Sequence, residues 1–301
     1  MNAEDKSSVW HTGYISIVGR PNVGKSTLMN HLIGAKLSIT SRRVQTTRHS
    51  IHGILTKDST QFVFVDTPGF QRVHLNALNR SLNRSVIQTL QQVDLVLWVV
   101  EALKYTHADE EILKLLPENV PVILVINKID RLNDKSRLLP FMKDMAQKYH
   151  FSGIVPVSAS ADVQLDTLLK EIEIYLPEGE PMFENDHITD RSERFMAAEV
   201  IREKIFRSLG DEVPYSAFVE IESFEEMDHL YHIHAAITVE RAGQKAMLIG
   251  EKGMKLKQIG TEARLEMEKL FGCKVHLKLW VRIKSGWSDS EQALKSLGFD
   301  L

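Results

Sequence analysis

Short apolar runs recur through the first 175 residues, separated by stretches of helical periodicity. The runs at 14–18, 51–56, 61–66, 94–100, 120–126 and 154–157 are rich in Val, Ile, Leu and Phe and give way to polar or turn-forming residues. Length and bounding residues mark them as buried β-strands. The segment after Ser26 and those at 74–91, 107–116 and 162–175 read as helices, whereas 38–50 is polar, aperiodic and therefore a loop. Strands alternating with helices predict an α/β fold, a mainly parallel sheet with helices on both faces and ligands at the carboxyl ends of the strands.

The pattern changes after Leu176. Residues 176–190 hold prolines and acidic residues without periodicity, which reads as a linker. Asp190-x-x-Glu193 then resembles a capping box before a helix carrying Phe195, Ala198, Ile201, Ile205 and Leu209. Strands near 215–223 and 230–240, a short helix at 244–250, a helix over 254–270, a strand over 273–284 and a final helix over 289–297 complete an α+β unit. The expected organisation is thus a domain at 1–175, a linker at 176–190 and a second domain at 191–301.

Composition narrows the class. A chain of 301 residues exceeds the usual single core, and 43% apolar with 26% charged residues fits a soluble globular protein. The longest apolar runs are too short to cross a bilayer, and the acidic start Met-Asn-Ala-Glu-Asp lacks a secretory core. With Cys273 as the single cysteine, no internal disulfide or cysteine cluster forms, and a reducing cytoplasm is expected. Charge is unevenly divided: residues 181–240 carry 5 Lys/Arg against 14 Asp/Glu, and 241–301 carry 12 against 7. A basic C-terminal segment suits a polyanion, and a solvated mixed-charge surface is the plainer alternative.

Chemistry concentrates at strand ends. Gly19-Arg20-Pro21-Asn22-Val23-Gly24-Lys25-Ser26, followed by Thr27, matches the phosphate loop G-x-x-x-x-G-K-[ST] between a strand and a helix. Its glycines let backbone N–H groups face phosphate oxygens at a helix N-terminus, Lys25 adds a point charge, and the Ser26 hydroxyl suits Mg²⁺. Asp66-Thr67-Pro68-Gly69 would be a plain turn in isolation. After a phosphate loop, its carboxylate can hold Mg²⁺ through water and the Gly69 N–H can meet a γ-phosphate. Asn127-Lys128-Ile129-Asp130 places a carboxylate where it can accept from the N1–H and 2-amino groups of guanine, a pair adenine lacks. The backbone of Ser158-Ala159-Ser160 suits the base carbonyl, although Ser160 also fits a helix cap.

Together with Thr46-Thr47, these segments resemble the five nucleotide motifs of small GTPases, and within them the translation-factor-related branch. The resemblance implies GTP and GDP as ligands, Mg²⁺ held by Ser26, Thr47 and Asp66, and catalysis resting on Lys25, Thr47 and Gly69. It further implies that Asn22 helps hold K⁺. Phe70 stands where Ras-like proteins carry a water-orienting glutamine, so slow unassisted hydrolysis is expected.

In the second domain, Gly250-Glu251-Lys252-Gly253 lies between two helices. Alone, G-x-x-G is more often a helix C-cap. In the order αββ, helix, G-x-x-G, helix, β it resembles a type II KH domain, whose turn clamps single-stranded nucleic acid. The expected RNA contacts are Gly250, Glu251, Lys252, Gly253, Lys255 and Lys257. His232 and His234 lie two apart on one strand with no third ligand, which reads as a polar face rather than a metal site. Trp287 is expected to pack beneath the last helix, with base stacking by Trp280 and Trp287 as the alternative.

A GTPase domain followed by this module is similar to the Era family of bacterial ribosome-assembly GTPases. That similarity implies a monomeric protein that binds 16S ribosomal RNA near its 3′ end in the 30S subunit. It also implies a cytoplasmic location with peripheral association with the inner membrane. A signalling GTPase whose C-terminal domain meets a protein or membrane remains the rival; a phosphate-loop metabolic kinase is disfavoured by Asp130.

Overall fold

The computed structural model describes residues 9–39, 50–69, 77–209, 217–287 and 290. Thr46, Thr47 and Phe70 lie outside them. The chain divides into two compact units, one of residues 1–35, 49–71 and 83–190 and the other of residues 36–48, 72–82 and 191–301.

The first unit is a six-stranded sheet in the order β2-β3-β1-β4-β5-β6. Its strands are β1 (His11–Val18), β2 (Ile51–Lys57), β3 (Thr60–Asp66), β4 (Leu95–Glu101), β5 (Val122–Asn127) and β6 (Gly153–Pro156). Only β2 runs antiparallel, paired with β3; the other neighbours are parallel. Helices α1 (Lys25–Ile33), α2 (Ala77–Leu90), α3 (His107–Leu113), α4 (Leu138–Ala146) and α5 (Leu165–Glu173) connect them.

Burial on both faces explains why β3, β4 and β5 read as continuous apolar runs rather than alternating ones. On one face Val96, Trp98 and Val100 of β4 pack with Val86 and Leu90 of α2, Ile112 and Met145. Trp98 stacks on Phe151 at 5.6 Å between ring centroids. Because β1 has β3 on one side and β4 on the other, the chain order reverses at its carboxyl end, which opens a crevice there.

Residues 177–189 are hydrogen bonded along this sheet. Pro177 O accepts from Thr12 N at 3.0 Å, Trp10 O from Gly179 N at 2.9 Å and Ile188 O from Ile54 N at 2.9 Å. Gln61, fully buried, donates to Phe183 O and accepts from Met182 N and Phe183 N. An isolated polar glutamine in an apolar strand is thereby satisfied by the segment that sequence composition alone marks as a linker.

The second unit runs α6 (Glu193–Ser208), β7 (Phe218–Met227), β8 (Leu230–Val239), α7 (Ala242–Ile249), α8 (Met254–Phe271) and β9 (Lys274–Ile283), an αββααβ order. Strand β8 pairs antiparallel with β7 and parallel with β9. Ala197, Ile201 and Ile205 of α6, Ile259, Ala263 and Met267 of α8, and Ile233, Ala235 and Ile237 of β8 form its core. The cap of α6 is Ser192, whose hydroxyl accepts from Phe195 N at 3.3 Å. Asp190 instead pairs with His52 at 2.9 Å, so the expected capping box does not form and a single cap two residues on takes its place. His232 is joined across the strands by His276, with 5.4 Å between ring centroids, and neither His232 nor His234 belongs to a three-ligand group among the described residues. Trp287 is buried against Phe218, not free to stack.

Candidate functional site

Four of the sequence motifs sit at the carboxyl ends of β1, β3, β5 and just beyond β6, on one rim of the sheet. The backbone requires glycine in the phosphate loop. At Gly24, φ is +103° and an added Cβ would sit 2.4 Å from Asn127 Nδ2, while one on Gly19 would lie 2.5 Å from Val99 O. Gly69 packs less tightly against the same loop: a Cβ there would lie 3.0 Å from Pro21 Cγ and 3.4 Å from Lys25 Nζ.

Lys25 opens α1 and is buried. Its ammonium donates to Gly19 O at 2.9 Å and Arg20 O at 3.3 Å, closing the loop over itself. Burial pushes its pKa down to about 8, against the attraction of Asp66 and with the repulsion of Arg20. Ser26 Oγ donates to Asp66 Oδ2 at 2.9 Å, and Asp66 is fully buried at the end of β3. A hydroxyl and a carboxylate, both hard oxygens, converging beside the phosphate loop are a donor set that suits Mg²⁺. Thr67 turns inward to Ile17 O at 2.9 Å, and Val23 is fully buried, so these two serve through backbone and packing.

Asn127 is the tie between loops. Its Nδ2 donates to Val23 O at 2.9 Å, and its Oδ1 accepts from Lys128 N at 2.7 Å and Ala159 N at 3.0 Å. One side chain thus joins the phosphate loop, the guanine loop and the 158–160 turn. It also engages the Ala159 N–H that the sequence reading offers to the base carbonyl. Asp130 is exposed at the rim and accepts from Ser158 Oγ at 2.5 Å, which orients its carboxylate. Arg20 donates through Nε to Asp109 Oδ2 at 3.1 Å.

Two acidic residues here escape the motif reading. Glu101 ends the apolar strand β4, and Asp109 is fully buried in α3. A lone charge closing the run Leu-Val-Leu-Trp-Val-Val-Glu was the available signal for Glu101. Burial raises its pKa, but hydrogen bonds from Lys104 and Lys128 prevail and bring it down to about 2.

In the second unit the G-x-x-G turn follows α7 and opens α8. Gly250 has φ +69°, and a Cβ there would lie 2.6 Å from Lys255 Cβ. Gly253 has φ +80° with open space around it. It lines a cleft of about 360 Å³ with Leu256, Lys257, Gly260, Thr261 and Arg264 of α8 and Leu277 and Leu279 of β9. Gly260 passes close to β9: a Cβ would stand 3.3 Å from Leu279 Cδ1. Apolar walls with Lys257 and Arg264 at the edge suit bases and phosphates together. Glu251 and Lys255 instead line the opposite side of the turn with Met247, Met254 and Gln258.

The fold and these loops define a P-loop GTPase joined to a KH domain. A family model described as "50S ribosome-binding GTPase" matches residues 14–128, and one described as "KH domain" matches residues 212–288. GTPase Era of Nitrosomonas eutropha is 58% identical over 98% of this chain and 99% of its own. GTPase Era of Chromobacterium violaceum is 53% identical over 97% and 98%. A variant of Aquifex aeolicus Era bound to GDP and tetrafluoroaluminate superposes with a TM-score of 0.93 at 39% identity, covering 97% of this chain and 100% of that one. The same values hold for Era in complex with MgGDPNP and nucleotides 1506–1542 of 16S ribosomal RNA. The chain belongs to the Era family of GTPases.

Proposed function

We propose that this GTPase is a nucleotide-controlled switch that binds the 3′ region of 16S ribosomal RNA through its KH cleft and acts in 30S subunit maturation. One observation carries the reading: a chain with an interlocked guanine and phosphate site also holds a G-x-x-G turn opening on an apolar, basic-edged cleft. The complex of the relative with nucleotides 1506–1542 supports the choice of RNA.

In this reading Lys25 releases Gly19 O and Arg20 O to meet the β- and γ-phosphates, while N–H groups of the loop and α1 take the remaining oxygens. Ser26, Asp66 and Thr47 hold Mg²⁺, which supplies charge neutralisation at the transferred phosphoryl group. The relative's MgGDPNP supports that ion. Gly69 brings its N–H to the γ-phosphate, and the absence of a side chain lets its backbone lie close against Pro21 and Lys25. Asp130, aimed by Ser158, selects guanine. Asn22 lends an oxygen to K⁺, so turnover is faster in potassium than in sodium; equal rates would remove the ion. Family membership supports a cytoplasmic monomer with peripheral inner-membrane association.

Filter binding with an RNA spanning the 3′ end of 16S ribosomal RNA tests the partner. Tight binding that a scrambled RNA of equal length cannot match is the expected result. Equal retention of both would favour the signalling alternative, in which the second domain meets a protein or membrane.

A further inference from the structure

The nucleotide loops contain two cations, Arg20 and Lys128, that converge on a carboxylate outside every recognised motif. Lys128 Nζ donates to Glu101 Oε2 at 2.9 Å and also to Asn22 O, in the phosphate loop, at 2.5 Å. Arg20 Nη2 lies 3.6 Å from the same Glu101 oxygen, while its Nε is held by Asp109. Lys104 closes the other side, donating to Glu101 Oε1 at 2.5 Å.

Backbone geometry fixes where this carboxylate stands. Glu101 lies directly opposite Asn127 in the β4–β5 register, and Ala102 N donates to Asn127 O at 2.9 Å. The next residue, Lys128, adopts φ +67°, a left-handed conformation that a lysine does not favour. Its ammonium is thereby carried back across the site. Asp109 is equally fixed, since it caps α3 by accepting from Thr106 N at 2.9 Å and Thr106 Oγ1 at 2.7 Å.

We propose that Glu101 is a positioning residue for guanine nucleotides: by gripping Lys128 and Arg20 it sets the spacing between the guanine loop and the phosphate loop. Two consequences follow from charge. Arg20 and Lys128 are like charges, and without the shared carboxylate they repel across the phosphate loop. Lys128 also loses the partner that holds its stem extended across the site, so its contact with Asn22 O slackens. The inference rests on the nucleotide reading of these loops and adds a residue to it.

Glu101→Gln keeps the shape and removes the charge. GDP affinity, measured by calorimetry on the full chain, should fall about tenfold, as expected when a hydrogen bond between charged groups is lost. Glu101→Asp keeps a carboxylate one methylene shorter and should fall between the two. The distinguishing readout is a double-mutant cycle. If Glu101 acts through Lys128, Glu101→Gln costs little further affinity in a Lys128→Met background. A full tenfold loss in that background, or parental affinity in both Glu101 variants, overturns the proposal. Lys25→Ala separates the failures: should it bind GDP as the parent does, the nucleotide reading itself falls; should it lose GDP while the Glu101 variants do not, only the positioning role falls.

Discussion

The nucleotide loops and the G-x-x-G cleft solve recognition in different ways. In the first, side chains are cross-tied to backbone: Asn127 alone engages Val23, Lys128 and Ala159, and Ser158 aims Asp130. In the second, shape comes from backbone geometry at Gly250, Lys252 and Gly253, all at positive φ, and from the close pass of Gly260 beneath Leu279. A tied polar site discriminates by leaving groups unsatisfied when the wrong ligand enters, so its losses are steep. A glycine-shaped cleft with two basic residues at its edge discriminates by fit and charge, so its losses are graded.

The steepest loss should therefore come at Asp130. In Asp130→Asn the amide donates where the carboxylate accepted, which suits the carbonyl that xanthine carries at C2. Preference should swing from GTP to XTP by on the order of 10⁴-fold. Competition of the two nucleotides for the variant measures it, and retained GTP preference would break the assignment.

The cleft should show its largest response at Gly253. No atom lies within 4 Å of an added Cβ, so Gly253→Asp brings a carboxylate to the cleft without a collision, although it also places a side chain at φ +80°. RNA affinity should drop on the order of 100-fold, with GDP affinity retained. Gly250→Ala should instead disturb the turn itself, because its methyl group meets Lys255 at 2.6 Å. If Gly253→Asp binds RNA as the parent does while circular dichroism shows both folded, the KH cleft is not the RNA site.

The same contrast sets what the sequence could show. Strands β3, β4 and β5 were legible because burial on both faces leaves an apolar run, and the G-x-x-x-x-G-K-S pattern has few other uses. Glu101 and Asp109 were passed over, since one acidic residue closing a strand or lying in a helix is a weak signal that carries no spacing. Gly260, Thr261 and Arg264 were missed because they lie inside an ordinary amphipathic helix; only the approach of β9 makes them a wall. Arg20 was legible as a member of the phosphate loop, but its hydrogen bond to Asp109 was not, because the two lie far apart in sequence. The segment 176–190 reads as linker by composition, and the buried Gln61 that binds it gave no sign of a partner 121 residues away.

Proton linkage sharpens the comparison at an intermediate scale. In the free protein Lys25 loses its proton near pH 8, whereas bound phosphates favour the charged form. Binding above that pH must take up a proton, so GDP affinity should fall by as much as tenfold per pH unit between 8 and 9. RNA affinity should not follow it. The sign for stability is opposite: the unfolded chain keeps this proton up to about 10.5, so the nucleotide-free protein gains stability as pH rises from about 8. A GDP dissociation constant that is flat from pH 7 to 9 would remove Lys25 from phosphate binding.

The smallest effect distinguishes phosphate contact from shape within the cleft. Lys257 lines the cleft beside Gly253, and Lys252 stands at the tip of the turn with φ +49°. If each meets one phosphate of a single strand, either alanine substitution removes one released counterion and lowers the salt slope of log K by about 0.7. At low salt both variants should bind more weakly than the parent, and the difference should shrink as salt rises, whatever the RNA sequence. Leu277→Ala, which removes wall and no charge, should weaken binding equally at all salt concentrations. Parallel salt slopes for Lys257→Ala and the parent would show that its ammonium meets no phosphate, leaving Lys257 a wall residue whose methylenes pack against the bases.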